Sequence, residues 1–124
     1  LKARKPSVRV VAVEPASAAV LSGHPAGQHQ IPGIGVGFVP EVLNRSILDE
    51  VAAVTDDDAF ATARRLAREE GILAGVSSGA AARTALTIAA RADAAGKMVV
   101  VLLPDTGERY TSTALMTGTT ESAN

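Results

Sequence analysis

Met98-Val-Val-Val-Leu-Leu103 is an unbroken apolar run bounded by Lys97 and Pro104. It is far too short to cross a bilayer, and its β-branched residues suit a strand. Odd and even positions are equally apolar, so both faces of that strand need cover. That is the condition of a parallel sheet packed between helices. Val8–Val13 is a similar run closed by Glu14-Pro15, and Asp49–Val54 and Ile72–Val76 read as further short strands. The order strand, long connection, strand, helix, strand, helix, strand predicts an α/β fold, part of a parallel sheet flanked by helices.

The helices have local signals. Thr55 followed by Asp56, Asp57 and Asp58 offers a hydroxyl cap, with carboxylates at the positive end of the helix dipole. Phe60, Ala63, Leu66 and Ala67 then recur at helical spacing, which predicts a helix over 56–70 with Gly71 as its C-terminal cap. A second, alanine-rich helix is predicted from Ser78 to about Ala94, with Gly96 as its stop, and a short one near Ser17–Ser22. Residues 1–116 read as one unit, and Thr117–Asn124, small and polar, as a frayed tail.

Composition removes several function classes. Twelve Lys and Arg against thirteen Asp and Glu leave a formal charge of -1, no footprint for nucleic acid or an anionic membrane. The absence of cysteine excludes disulfides and thiolate metal sites. Leu1–Pro6 lacks the apolar core of a signal peptide, so the chain reads as soluble and cytoplasmic. It opens on Leu1 and enters a strand almost at once, the pattern of a piece of something longer.

In parallel sheets ligands sit beyond the carboxyl ends of the strands, here the Ser77-Ser78 junction, the loop from Pro104 to Tyr110, and the loop after Glu14. The long connection carries Gly33-x-Gly35-x-Gly37, but no strand immediately precedes it and no helix opens on it, so a nucleotide fingerprint is disfavoured. Close main-chain approach to a helix or a ligand is the better reading of these glycines. His24 and His29 lack partners at metal-ligand spacing and read as loop-packing residues. Arg64, Arg65 and Arg68 beside Glu69 and Glu70 read as a solvated helix face. At Ser77-Ser78-Gly79 one serine suffices to cap the helix that follows. The other is redundant for that job and is left for a tight turn or for a neutral heteroatom of a ligand at the helix N-terminus.

Three stretches, TARRLAREEGILAGVSSGAA (62–81), VVVLLPDTGERYTSTAL (99–115) and IPGIGVGFVPEVLNR (31–45), together resemble the C-terminal part of the cysteine synthases, or O-acetylserine sulfhydrylases. These are pyridoxal-phosphate enzymes of fold type II, the tryptophan synthase β-like group. The resemblance runs from about Val8 to Leu115 and implies the C-terminal half of the large domain. It implies a β-replacement in which O-acetyl-L-serine loses acetate to give an aminoacrylate and sulfide adds to make L-cysteine. It also implies pyridoxal 5'-phosphate as cofactor, a homodimeric parent, and the C-terminal tail of serine acetyltransferase as a peptide partner.

Residue by residue, the resemblance makes Ser77 the hydroxyl that meets the pyridine nitrogen, Ser78 the helix cap and Gly79 a close-packing residue. Gly33 and Gly35 match a mobile loop at the substrate mouth, Asp105 and Thr106 a polar loop beside the ring, and Glu108, Arg109 and Tyr110 an ion pair and packed ring supporting that loop. Gln28 and Pro32 stand where the family has a proline and a polar residue. Lys2, Lys5 and Lys97 match none of the context of the Schiff-base lysine, and the phosphate loop and carboxylate-gripping loop have no counterpart. The expectation is a chain with no catalytic residue of its own and no activity alone. A cystathionine β-synthase-like reaction, another sulfur donor, or a non-catalytic acetyltransferase-binding remnant are the alternatives.

Overall fold

The structure is a computed structural model and describes residues 1–117. Strands β1 (Val11–Pro15) and β2 (Glu50–Val54) pair in parallel, with Val11 opposite Glu50 and Pro15 opposite Val54. Helices α1 (Asp56–Glu70), α2 (Val76–Ala89) and α3 (Ala114–Thr117) complete a mixed α/β fold. The connection from β1 to β2 is irregular apart from 3-10 turns at Ala16–Ala18 and Arg45–Ile47; the first of these stands in place of the short helix expected near Ser17–Ser22.

Helix α1 has the predicted limits because both ends are decided locally. The Thr55 hydroxyl accepts from the Asp58 amide at 3.2 Å. Gly71 turns left-handed at φ 68° and closes the helix by donating to the Leu66 carbonyl. Arg64 does not belong to a solvated face: its guanidinium donates to the Ala114 and Leu115 carbonyls at 2.7 and 3.1 Å and lies over the Phe60 ring. It therefore ties α3 to α1. Arg65 pairs with Glu69 one turn on, as an exposed pair would.

Four further expectations are corrected. Strand β1 begins at Val11 rather than Val8, because the Asp49 carboxylate takes the Val10 amide at 2.7 Å and the regular ladder opens only beyond it. Residues 72–76 form no strand. Ala74 makes a single antiparallel bridge to Thr106, and Val76 already belongs to α2. Helix α2 is capped at Gly75, without a side-chain bond, so neither serine is the cap. A side chain at Gly75 would meet the Asp105 carboxylate at 2.3 Å, and this close approach sets where the helix starts. Its C-terminal end comes at Ala89, and Ala92–Ala94 is a separate 3-10 turn.

The fourth correction is the largest. Lys97–Leu103 forms no strand: among the described residues Met98–Leu103 make no backbone hydrogen bond to another backbone group. Met98, Val100 and Leu102 stand 90%, 79% and 83% exposed. The apolar pattern of a doubly covered strand is present, and among the described residues no strand lies beside it.

The core lies between the sheet and α1 and α2, with Ile31, Val54, Ala59, Ala63, Val76, Ala80 and Leu115 buried together. The two helices touch through their backbones at Gly79, where a Cβ would fall 2.1 Å from the Ala59 carbonyl oxygen. Thr117, the first residue of the expected frayed tail, closes α3, and 118–124 lie outside the described residues.

Candidate cofactor and substrate site

Helix α2 begins where the loop after Pro104 folds back. Its first turn offers free N–H groups and the positive end of its dipole to whatever lies ahead. The buried Ser77 and Ser78 occupy that turn, and the Asp105 carboxylate faces both. Ser78 Oγ donates to Asp105 Oδ1 at 3.2 Å, Ser77 Oγ reaches the same oxygen at 3.4 Å, and Tyr110 Oη donates to Oδ2 at 2.5 Å. Tyr110 thus engages the carboxylate firmly, whereas the Ser78 contact is long for an O–H···O bond. The Ser77 contact is at the limit of a hydrogen bond, which leaves its proton free to turn to another acceptor.

Tyr110 shows the strength of this arrangement. Its hydrogen bond to the Asp105 carboxylate, its partial burial and the charge of Asp105 together raise the phenol above its usual value, with Arg109 opposing. The ring packs against the core cluster. The expected ion pair in this segment does not form: Glu108 instead accepts from the Thr106 hydroxyl at 2.9 Å, and among the described residues no salt bridge joins Glu108 to Arg109. The resemblance marks Asp105 only as part of a polar loop, whereas it is the hub of the cluster. The signal available in sequence is its place just after an apolar run in a parallel-sheet pattern.

The glycine-rich loop lies elsewhere. Gly33, Gly35 and Gly37 all have positive φ, at 92°, 64° and 83°. With Glu14, Val20, Leu21 and Phe38 they line a cavity of about 200 Å³ to which α2 contributes no wall. Glu14 is 97% buried by the complement of its 3% exposure, and its carboxylate accepts from the Leu21 and Ser22 amides at 2.8 and 3.1 Å and from the Ser22 hydroxyl. It folds the start of the long connection back onto β1. In sequence Glu14 reads merely as the end of a strand. Among the described residues no group of three or more His, Cys, Asp or Glu is placed to hold a metal ion, and no helix is long and apolar enough to cross a membrane.

The model of the family described as pyridoxal-phosphate dependent enzyme matches residues 1–105. The chain belongs to that family. It is 48% identical to an O-ureido-L-serine synthase of Streptomyces lavendulae over 124 residues, which are 100% of this chain and 38% of the relative. It is also 48% identical to a cysteine synthase of Staphylococcus aureus over 93% of this chain and 37% of the relative. The crystal structure of O-acetyl serine sulfhydrylase isoform 3 from Entamoeba histolytica superposes with a TM-score of 0.93 at 46% identity, covering 100% of this chain and 37% of that one. The fold is that of the fold type II pyridoxal-phosphate enzymes. The chain spans little more than a third of the length of the relatives it matches.

The first turn of α2 fits one edge of that cofactor. A buried hydroxyl held loosely by a carboxylate, at a helix N-terminus, suits a neutral ring nitrogen. Lys2 is drawn to Asp49 at 2.6 Å, remote in sequence from this cluster.

Proposed function

We propose that this chain forms part of a cysteine synthase, an enzyme that converts O-acetyl-L-serine and sulfide into L-cysteine with pyridoxal 5'-phosphate. The observation that carries the reading is Ser77, buried in the first turn of α2 with its proton only weakly engaged by Asp105. When bound, the cofactor supplies the electron sink for loss of the α-proton and acetate. Ser77 meets the ring nitrogen with a neutral hydroxyl, which orients the ring without handing it a full proton. Helix α2 keeps Ser77 in place, and Asp105, held by Tyr110, lies beside it. The Gly33–Gly37 loop presents main chain rather than side chains to the substrate, with Gly33 and Gly35 as its substrate-loop residues.

In this reading the chain works with further polypeptide that supplies the Schiff-base lysine and the phosphate cradle. The protein is cytoplasmic, its parent homodimeric, and the glycine loop forms part of a groove for the acetyltransferase tail. The chain of 124 residues has no turnover alone. Mixed with the cofactor at equal concentration, it is expected to develop no protein-linked absorption band, and a stoichiometric band would defeat the claim. In the enzyme containing this segment, Ser77→Ala is expected to lower turnover of O-acetylserine with sulfide, and unchanged rates would refute the assignment.

A second reading rests on the equally high identity to the O-ureido-L-serine synthase. There the incoming nucleophile would be an oxygen of a ureido compound rather than sulfide. Competition between sulfide and hydroxyurea for O-acetylserine, followed by product analysis, separates the two.

A further inference from the structure

His29 precedes the glycine-rich loop in the chain, and its ring is used at both nitrogens. Nε2 is 2.9 Å from the Gly35 carbonyl oxygen, and Nδ1 is 3.2 Å from the Ile31 amide nitrogen. A carbonyl only accepts and an amide only donates, so both bonds form together in one state of the ring: neutral, with the proton on Nε2. We propose that His29 is the positioning residue of the glycine-rich loop, its Nε2–H tautomer tying the Ile31 amide to the Gly35 carbonyl and so fixing which main-chain groups of Gly33–Gly37 face the adjoining cavity. The proposal rests on the reading of this loop as the substrate-facing one.

Both anchors of the clamp are rigid. Ile31 is completely buried in the core cluster, and the fully buried Pro15 at the end of β1 lies against Gly35. A Cβ at Gly35 would fall 2.5 Å from Pro15 Cγ and 2.7 Å from His29 Nε2. Ring and pyrrolidine together fill the space a side chain would need at this point, and only a glycine fits. Gly33 differs, since a Cβ there would meet nothing within 4 Å. One end of the loop is clamped and the other is open. The Gly35 carbonyl, spent on His29, is withdrawn from any ligand in the cavity.

The tautomer is measurable on this chain without any ligand, so failure of the clamp is distinguishable from failure of the substrate reading. In long-range ring 15N–1H spectra the clamp requires a protonated Nε2 and a bare Nδ1 in the neutral ring; an Nδ1–H tautomer overturns it. In His29→Leu the Ile31 amide should exchange about tenfold faster, the loss of one hydrogen bond, while the Leu66 amide within α1 keeps its rate. His29→Asn restores protection of Ile31, because its side-chain oxygen reaches the amide two residues on, but it cannot reach Gly35. Unaltered Ile31 exchange in His29→Leu, or no rescue by His29→Asn, overturns the assignment.

Discussion

Gly79→Ala sets two known effects against each other. Within a helix, alanine is favoured over glycine by about 0.8–1.0 kcal/mol, so intrinsic propensity alone predicts a more stable chain. At this site, however, the new methyl would lie 2.1 Å from the Ala59 carbonyl oxygen and 2.8 Å from both the nitrogen and the Cβ of Ala63. None of these atoms belongs to a flexible side chain. Relief requires α1 and α2 to separate, which loosens the packing of Ala59, Ala63 and Ala80. Overpacking of this kind costs about 1–3 kcal/mol, and a shift of backbone places it in the upper part of that range. The net expectation is destabilisation by about 1–2 kcal/mol. Urea unfolding followed by far-UV circular dichroism reads it directly: with a slope near 1 kcal/mol/M, the midpoint falls by about 1–2 M. A midpoint that stays or rises would show that α1 and α2 do not meet through their backbones.

Gly71→Ala tests a different cost, because a methyl there meets nothing within 4 Å while φ is 68°; about 1 kcal/mol should be lost to left-handed backbone strain, measured by the same unfolding curves. Tyr110 is the chain's one tyrosine and there is no tryptophan, so absorbance at alkaline pH follows a single phenol. Its ionisation should come above the ordinary value of 10.0 and move down in Asp105→Asn. Since the folded value is the raised one, the stabilisation by this bond is complete below pH 10.0 and is lost as pH climbs through the folded value. Glu50 has the opposite sign: the Arg91 guanidinium, bonded to it at 2.7 and 2.8 Å, holds its carboxyl below the usual 4.5. The stability gap between the native chain and Glu50→Gln should therefore be full above pH 4.5 and close as acid protonates the folded carboxylate.

Legibility followed the range of the interactions. Helix α1 could be read to the residue because its cap, its acidic first turn and its terminal glycine all lie within the segment itself. The start of α2 could not, because it is set by the contact of Gly75 with Asp105, thirty residues on by the difference of their numbers, and the serine pair suggests a cap one turn too late. The apolar run at Met98–Leu103 carries the composition of a buried strand, yet composition states a need for neighbours and does not supply them. At the site, Ser77 was visible as a hydroxyl at a helix start, whereas Asp105 gains its place only when the loop folds back. The roles of Glu14 and His29 depend on amides seven, eight and two residues away and on a carbonyl six residues away in irregular chain, and no periodicity announces such bonds.

The uncovered run at Met98–Leu103 also bears on how the chain behaves in solution. A segment with β-branched side chains, no internal charge and, among the described residues, no backbone partner for its main chain is a template for any strand that meets it. Lys97 and Pro104 stand guard at its two ends, where a charge and a missing N–H discourage growth, but nothing interrupts it between them. Solubility of this polypeptide is thus a matter of how soon that edge finds a proper neighbour, and crowding copies of it together favours the improper one.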